Sequence, residues 1–348
     1  MSLHNFNYPH RRKNILTGEW ILVSPHRTNR PWQGEVSERG NQSRPKYDPE
    51  CYLCPGNKRA NGEFNPQYKS TFAFTNDFPA LLENKENFTL NTKHLLVAKS
   101  ESGICRVVNF SPRHDLTMAE MEENAIEKVI ETWCSEFKML SSNPAINYVQ
   151  IFENKGSMMG NSNPHPHCQI WAQKSIPMEV AKELKQFKKY FRKYKRSILQ
   201  DYLKLELKLN ERIVYQNESF VVLTPYWATW PYETLVIPKR RIADILHLKV
   251  GEIRDFANAL KIITIKYDNL FQVSFPYSSG VHQAPTDGKD YKGFHFHMHF
   301  YPPLLRSAII KKFMVGYEML AEPQRDITPE YSAGVLKNLS NIHYNNRG

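Results

Sequence analysis

The chain of 348 residues is 41% hydrophobic and 23% charged with a formal net charge of +11, an ordinary globular composition at the length of about two domains. Five cysteines, of which only Cys51 and Cys54 are close together, argue against a secreted disulfide framework and for reduced thiols in the cytoplasm. No apolar run is long enough to span a bilayer and the first residues lack a signal-peptide core, so a soluble protein is expected, while the basic balance fits nucleic acid, small phosphorylated substrates and plain solubility alike.

Residues 1 to about 60 are rich in Pro, Arg and Asn, with one apolar run, Trp20 to Val23, that predicts a strand. Beyond it Arg27 and Arg30 stand beside a proline-braced turn. Such a pair can grip a phosphate in bidentate fashion, although spacing alone slightly favours two solvated side chains. Cys51-Tyr52-Leu53-Cys54 follows Asp48-Pro49 in turn-like sequence, not at the head of a helix, which favours metal over thiol redox chemistry. Two thiols are half of a zinc set, so the other ligands must come from elsewhere, with His114 and one of His165 and His167 as candidates.

An internal repeat follows. In the first half a strand at Arg106–Phe110 leads to Ser-Pro-Arg-His, then to a helix with a capping box at Thr117 and Glu120 and an apolar line at Ile126, Ile130, Trp133, Phe137 and Leu140. A strand at Tyr148–Phe152, a glycine loop and His165-x-His167 complete it. In the second half Thr234–Ile237 leads to Pro-Lys-Arg-Arg, a helix with Ile253, Phe256, Leu260, Ile263 and Tyr267 on one face, and a strand from His295 to Phe300. Upstream strands near Phe72 and Phe220 also correspond. The expectation is an α+β fold in which duplicated halves, 1–176 and 177–348, join in one large sheet.

The stretch from Gly160 to Trp171, Gly-Asn-Ser-Asn-Pro-His-Pro-His-Cys-Gln-Ile-Trp, concentrates the chemistry. If it is extended, His165, His167, Gln169 and Trp171 share one face while Cys168 and Ile170 take the other. The preceding Asn154 to Ser162 segment has glycines among small polar residues, as a backbone that approaches phosphate oxygens requires. Neutral imidazole is a capable nucleophile toward phosphorus near pH 7, and here no carboxylate, thiol or lysine is better placed, which assigns covalent catalysis to His167. Gln169 can donate to a phosphoryl oxygen.

Between the halves Pro177 to about Leu205 reads as a basic amphipathic helix, with Leu184, Phe187, Phe191 and Tyr194 at helical spacing. Its Glu183 can join His282, His297 and His299 in a second metal set suited to zinc or iron, although alternation leaves His295 on the same face as the last two. Lys311 to Leu320 shows no clean helical line, and a final helix begins at Thr328-Pro329.

Together these residues resemble the galactose-1-phosphate uridylyltransferase family, the transferase branch of the histidine-triad superfamily. The segments that carry the likeness include Trp-Ile-Leu-Val-Ser-Pro-His-Arg, Phe-Glu-Asn-Lys-Gly, Ser-Asn-Pro-His-Pro-His-x-Gln, Tyr-Asp-Asn-Leu-Phe and Lys-Phe-Met-Val-Gly-Tyr-Glu. The resemblance implies histidine-triad-like halves in a mainly antiparallel half-barrel with flanking helices. It implies a ping-pong exchange of UMP from UDP-glucose to galactose 1-phosphate through a uridylyl-histidine at His167, supported by Gln169 and Ser162. It puts structural zinc on Cys51, Cys54, His114 and His165, and a second iron or zinc on Glu183, His282, His297 and His299. Uridine and phosphate contacts fall on Asn76, Asp77 and Asn154, and hexose contacts on Lys312, Val315, Tyr317, Glu318 and Gln324. A homodimer is implied in which Arg27 and Arg30 serve the neighbouring subunit, against the solvated reading above. Rival readings are a dinucleoside-polyphosphate phosphorylase or other nucleotidyltransferase on the same strand, and a zinc-bearing RNA-binding module that would use the basic helix. With the uridylyltransferase reading, no nucleic-acid or membrane partner is expected.

Overall fold

In the computed structural model, which describes residues 7–29, 44–83, 87–303 and 313–347, two similar halves meet edge to edge in a sheet of nine strands. A small hairpin, β1 (His10–Lys13) and β2 (Trp20–Val23), comes first. The first half then supplies β3 (Phe72–Thr75), a separate hairpin of β4 (Thr89–Thr92) and β5 (Leu96–Lys99), β6 (Gly103–Asn109), α1 (Glu123–Ser141), β7 (Tyr148–Lys155) and β8 (His167–Gln173). Helices α2 (Met178–Tyr194) and α3 (Ile198–Leu209) lead to β9 (Ile213–Gln216), β10 (Phe220–Leu223), β11 (Thr234–Pro238), α4 (Val250–Phe271), β12 (Tyr277–His282) and β13 (His297–Tyr301). The described chain closes with α5 (Tyr317–Leu320), β14 (Gln324–Arg325) and α6 (Pro329–Asn338).

The strand order β3-β6-β8-β7-β12-β13-β11-β10-β9 is a palindrome with β9 added at one edge. Matching β8 with β13 and β7 with β12 places the centre between β7 and β12, which pair antiparallel with Phe152 opposite Gly280. Duplication is therefore visible in the hydrogen-bond ladder as well as in the order of motifs.

Alternation decides what each face carries. Along β8 the side chains of His167, Gln169 and Trp171 are half-buried while Cys168, Ile170 and Ala172 are buried. Directly opposed residues share a face, so the pairings Phe152↔Gln169, Asn109↔His167, Gly280↔His299 and His282↔His297 put both histidine strands on the same side of the sheet. The other side packs on α1 and α4, where Ile126, Ile130, Trp133 and Phe137 meet Phe256, Leu260, Ile263 and Tyr267 over Cys168, Ile170 and Met298. Each such side chain contributes roughly 1.5–3 kcal/mol on burial.

The histidine-bearing side is only partly covered. Over its C-terminal half α2 and α3 seat Phe187, Leu199 and Leu203 on Val221, Leu223, Leu235 and Ile237. Over its N-terminal edge the Cys51–Cys54 loop packs with Phe74 and Val107. Between these covers His167, Gln169, Trp171, Phe152 and Asn154 stand half-buried.

Two expectations need correction. The Thr117–Glu120 box is formed, with Glu120 accepting from the Thr117 amide at 3.0 Å, but it closes a separate turn and α1 starts at Glu123. Met118, Ala119 and Met121 are buried in that turn, so packing sets the direction of entry and the helix begins afterwards. The single helix expected from Pro177 to about Leu205 is broken at Lys195, whose φ of 57° ends α2 in the left-handed region. Tyr190 Oη and Arg196 Nε both reach Asp201 Oδ2 at 2.8 Å and brace the corner, which lets α3 bury Leu199 and Leu203 in the core that already holds Phe187.

The last helix begins as expected, with Pro329 in its first turn and the Thr328 hydroxyl accepting from the Tyr331 amide. Its other end rests on Lys266, a buried ammonium that donates to the carbonyls of Leu336, Lys337 and Leu339 at 3.2, 3.3 and 2.7 Å. The Leu336 carbonyl also accepts from the Leu339 amide at 3.2 Å, but carbonyls of a last turn lack their full helical partners and sit at the negative end of the dipole. Lys266→Met is expected to destabilise the fold by about 2 kcal/mol, seen as a lower thermal midpoint; an unchanged midpoint would remove this role. No helix among the described residues is long and apolar enough to cross a membrane.

Candidate functional site

The strand β8 begins where Pro166 ends a bend, and its first residue is His167. The ring is held by donation from Nδ1–H to the His165 carbonyl at 2.7 Å, which assigns the other nitrogen, Nε2, the lone pair. Burial lowers the His167 pKa and outweighs that hydrogen bond, so the ring is neutral near pH 7. Gln169, two residues on, accepts at Oε1 from Trp171 Nε1 at 2.9 Å and from Asn76 Nδ2 at 3.4 Å. With its oxygen so occupied, the amide has its NH2 to offer.

Before the strand, Gly156 and Gly160 adopt φ of 86° and 77°, a region other residues enter at a cost. Between them lies a short 3-10 turn, and a Cβ on Gly156 would stand 3.0 Å from Pro276 Cβ. Ser162 is exposed in this loop, and Asn161 Oδ1 accepts from the Asn163 amide. Asn154, on the functional face of β7, accepts from Ser278 Oγ at 2.7 Å. Asp77 is turned toward Arg59 at 3.4 Å, away from a simple solvent-facing pose. Cys168 lies behind the strand and accepts from Trp133 Nε1 at 3.2 Å.

Two buried metal-type clusters flank this centre. Cys51, Cys54, His114 and His165 bring one ligand atom each to within 4.8 Å of one another. Cys54 Sγ is 3.7 Å from His114 Nδ1 and 3.6 Å from His165 Nδ1. A tetrahedral centre with metal–S near 2.3 Å and metal–N near 2.0 Å separates sulfur and nitrogen by about 3.5 Å, so the donor set fits. His165 Nε2–H donates to the Ser111 carbonyl at 2.8 Å, leaving Nδ1 as the ligand atom. Burial pushes the Cys54 thiol up to about 12 and His165 down to about 4, both toward neutral forms. A bound cation would reverse the thiol's preference.

The second cluster joins Glu183 of α2 with His282, His297 and His299. Glu183 Oε2 lies 3.0 Å from His282 Nδ1 and 3.4 Å from His297 Nε2, and Oε1 lies 3.5 Å from His299 Nε2, a buried convergence of groups able to share one cation in which none of the three ring nitrogens meets a well-formed hydrogen bond among the described residues. Burial alone would raise the Glu183 pKa, but His282 and His297 hold it well below the usual carboxylate range. His297 Nδ1–H donates to the His295 carbonyl at 2.8 Å, and His295 Nε2–H to the Pro238 carbonyl at 2.9 Å. These bonds repeat those of His167 and His165. His295 is thereby the counterpart of His165 and lies outside the second cluster, a choice that strand alternation left open.

A third group of predicted residues lies on another small sheet. β14 pairs parallel to β2, with Gln324 opposite Leu22 and Arg325 opposite Val23. Arg27 Nε is 3.6 Å from Asp326 Oδ1, which also accepts from Gln324 Nε2 at 2.6 Å. Glu318 pairs with Arg325, and Tyr317 and Val315 are exposed. Arg30 and Lys312 lie outside the described residues.

Sequence reasoning passed over Asn163 and Tyr68. Asn163 Oδ1 accepts from the His165 amide at 3.0 Å while Asn163 Nδ2 lies 3.4 Å from Cys51 Sγ. Tyr68 Oη donates to the Leu53 carbonyl at 2.6 Å and lies 3.2 Å from His165 Nε2. Asn163 stands two residues before the His165-Pro166-His167 motif, so its neighbourhood is a local signal; Tyr68 has none.

Residues 2–177 match the family described as Galactose-1-phosphate uridyl transferase, N-terminal domain, and residues 183–348 match its C-terminal domain. A Saccharomyces cerevisiae protein named Galactose-1-phosphate uridylyltransferase is 49% identical, covering 97% of this chain and 96% of the relative. Among solved structures, one titled "Structure of uridylyltransferase" superimposes with a TM-score of 0.74 at 27% identity, covering 94% of this chain and 97% of the other. The ADP-glucose phosphorylase from Arabidopsis thaliana with bound ADP-glucose gives 0.75 at 24% identity, covering 95% and 99%, a likeness of fold.

Proposed function

The chain belongs to the galactose-1-phosphate uridylyltransferase family, and we propose that it moves a uridylyl group from UDP-glucose to galactose 1-phosphate, giving UDP-galactose and glucose 1-phosphate. The observation that carries the reading is the orientation of His167, whose Nδ1–H is committed to the His165 carbonyl. Nε2 attacks the α-phosphorus of UDP-glucose. An N–P bond forms as the bond from that phosphorus to the bridging oxygen breaks, and glucose 1-phosphate leaves as an anion that needs no proton. The positive charge that develops on the ring is met by the carbonyl already bonded to Nδ1–H. A phosphate oxygen of galactose 1-phosphate then attacks the same phosphorus, and the imidazole leaves.

Other residues supply position and preorganised dipoles. The Gln169 amide donates to a phosphoryl oxygen, and Ser162 with the glycine loop lines the phosphates. Asn76, Asp77 and Asn154 face the uridine and phosphates. Lys312, Val315, Tyr317, Glu318 and Gln324 face the hexose, and in a homodimer Arg27 and Arg30 complete the neighbouring subunit's site. The first half, 1–176, carries the nucleophile and the second, 177–348, the hexose segment. Cys51, Cys54, His114 and His165 would hold zinc, and Glu183, His282, His297 and His299 iron or zinc, each ion supplying structural restraint when bound. A cytoplasmic address and partners limited to nucleotide sugars, sugar phosphates and a second copy complete the reading.

With UDP-glucose and no acceptor, each active chain is expected to release one glucose 1-phosphate in a burst and to retain uridylyl label. Galactose 1-phosphate should discharge that label as UDP-galactose. A preference for adenine nucleotides over UDP-hexoses would instead select a phosphorylase related in fold.

A further inference from the structure

Arg325 is 2% exposed, and an arginine is almost never so buried unless paired. Its Nη1 donates to the Glu318 carboxylate and to the Gln324 carbonyl, and its Cζ lies 5.7 Å from the centre of the Trp230 ring. Nε and Nη2 are buried without a hydrogen-bond partner among the described residues. A guanidinium chosen for stability would be better satisfied, and an apolar side chain of similar volume often stabilises such a place at least as well. What the charge provides is direction.

The surroundings show what is directed. α5 is a single turn, and Tyr317, Met319 and Leu320 are 54%, 73% and 89% exposed while the Glu318 side chain is 5% exposed. The turn is thus docked with its carboxylate inward and its apolar groups outward, the reverse of ordinary packing. The backbone of Arg325 extends the tie: its carbonyl accepts from the Ser24 amide at 2.7 Å, and the Ser24 carbonyl accepts from the Arg27 amide at 3.1 Å. One residue connects the segment of Glu318, the strand of Gln324 and the turn of Arg27.

We propose that Arg325 is a positioning residue for sugar recognition, fixing the Glu318 carboxylate, and with it the segment that carries Gln324, in the pose that reads hexose hydroxyls. The proposal rests on the reading that Glu318 faces the hexose. A fixed acceptor discriminates strongly between sugars that do and do not present a hydroxyl to it.

The test varies galactose 1-phosphate at saturating UDP-glucose on full-length Arg325→Met, Arg325→Lys, Glu318→Gln and the Arg325→Met/Glu318→Gln double variant. Misplacing a binding group by an ångström costs up to about a hundredfold, so Arg325→Met is expected to raise KM for galactose 1-phosphate tenfold or more, with little change in kcat. Arg325→Lys should recover part of the loss and carries the test if the methionine variant does not fold. The double variant should be no worse than the worse single one, because both changes remove the same interaction. Wild-type KM in Arg325→Met and Arg325→Lys beside a raised KM in Glu318→Gln overturns the proposal and leaves the hexose reading intact, as do fully additive losses. A wild-type KM in Glu318→Gln overturns the hexose reading and the proposal with it.

Discussion

His167→Gly is expected to lose at least about 10⁴-fold in kcat, as removal of a covalent nucleophile does, and to retain no uridylyl label after incubation with UDP-glucose. The fold should survive. His167 is the half-buried first residue of β8, while the buried residues that anchor the strand, Cys168, Ile170 and Ala172, lie on the opposite face. The β6 ladder continues through six further pairs, from Cys168 to Gln173. A circular dichroism spectrum and thermal midpoint close to those of the parent chain would therefore accompany the loss. Full exchange of nucleotide between sugars in this variant would end the covalent mechanism.

Cys54→Ser is expected to lose the metal of the first cluster, lower the thermal midpoint by about 5 °C and reduce turnover in proportion to the metal lost. Cys54 is fully buried, and its sulfur faces both imidazoles of the cluster. Metal binding to such a site is folding free energy, because the unfolded chain has no preformed set of ligands. A loss of about 3–5 kcal/mol corresponds to roughly 5 °C in a chain of this size. The effect on turnover follows a physical path: His165 is two residues from His167, its carbonyl holds His167 Nδ1, and Asn163 ties its amide to Cys51. Metal content by elemental analysis, read beside the midpoint and the burst, checks each link. A metal-free variant with the parent's midpoint and rate would show that the cluster restrains nothing.

Much of the site was legible because the signals are local. Alternation from His167 to Trp171 is a property of any extended chain, and the apolar line of α1 is a property of any helix, so the faces of β8 and α1 followed directly from residue order. The repeated order of strand, helix and His-x-His predicted a two-part sheet, and the palindromic strand order bears that out. The corrections all come from places where packing overrides a local preference. Thr117 caps a turn because Met118 and Met121 are buried there, and Lys195 takes a positive φ because Leu199 and Leu203 must reach the Phe187 core.

Residue types and their spacing thus determined, before any fold was known, which sides of their strands the candidate side chains occupy. Only the tertiary structure decided which ring nitrogen each histidine presents, that His295 stands apart from His297 and His299, and that Arg325 holds Glu318. The reason is that the orientation of a ring or carboxylate depends on a partner supplied by a distant part of the chain, the Ser111 carbonyl for His165 and the Pro238 carbonyl for His295. Periodicity along the chain carries no information about such a partner.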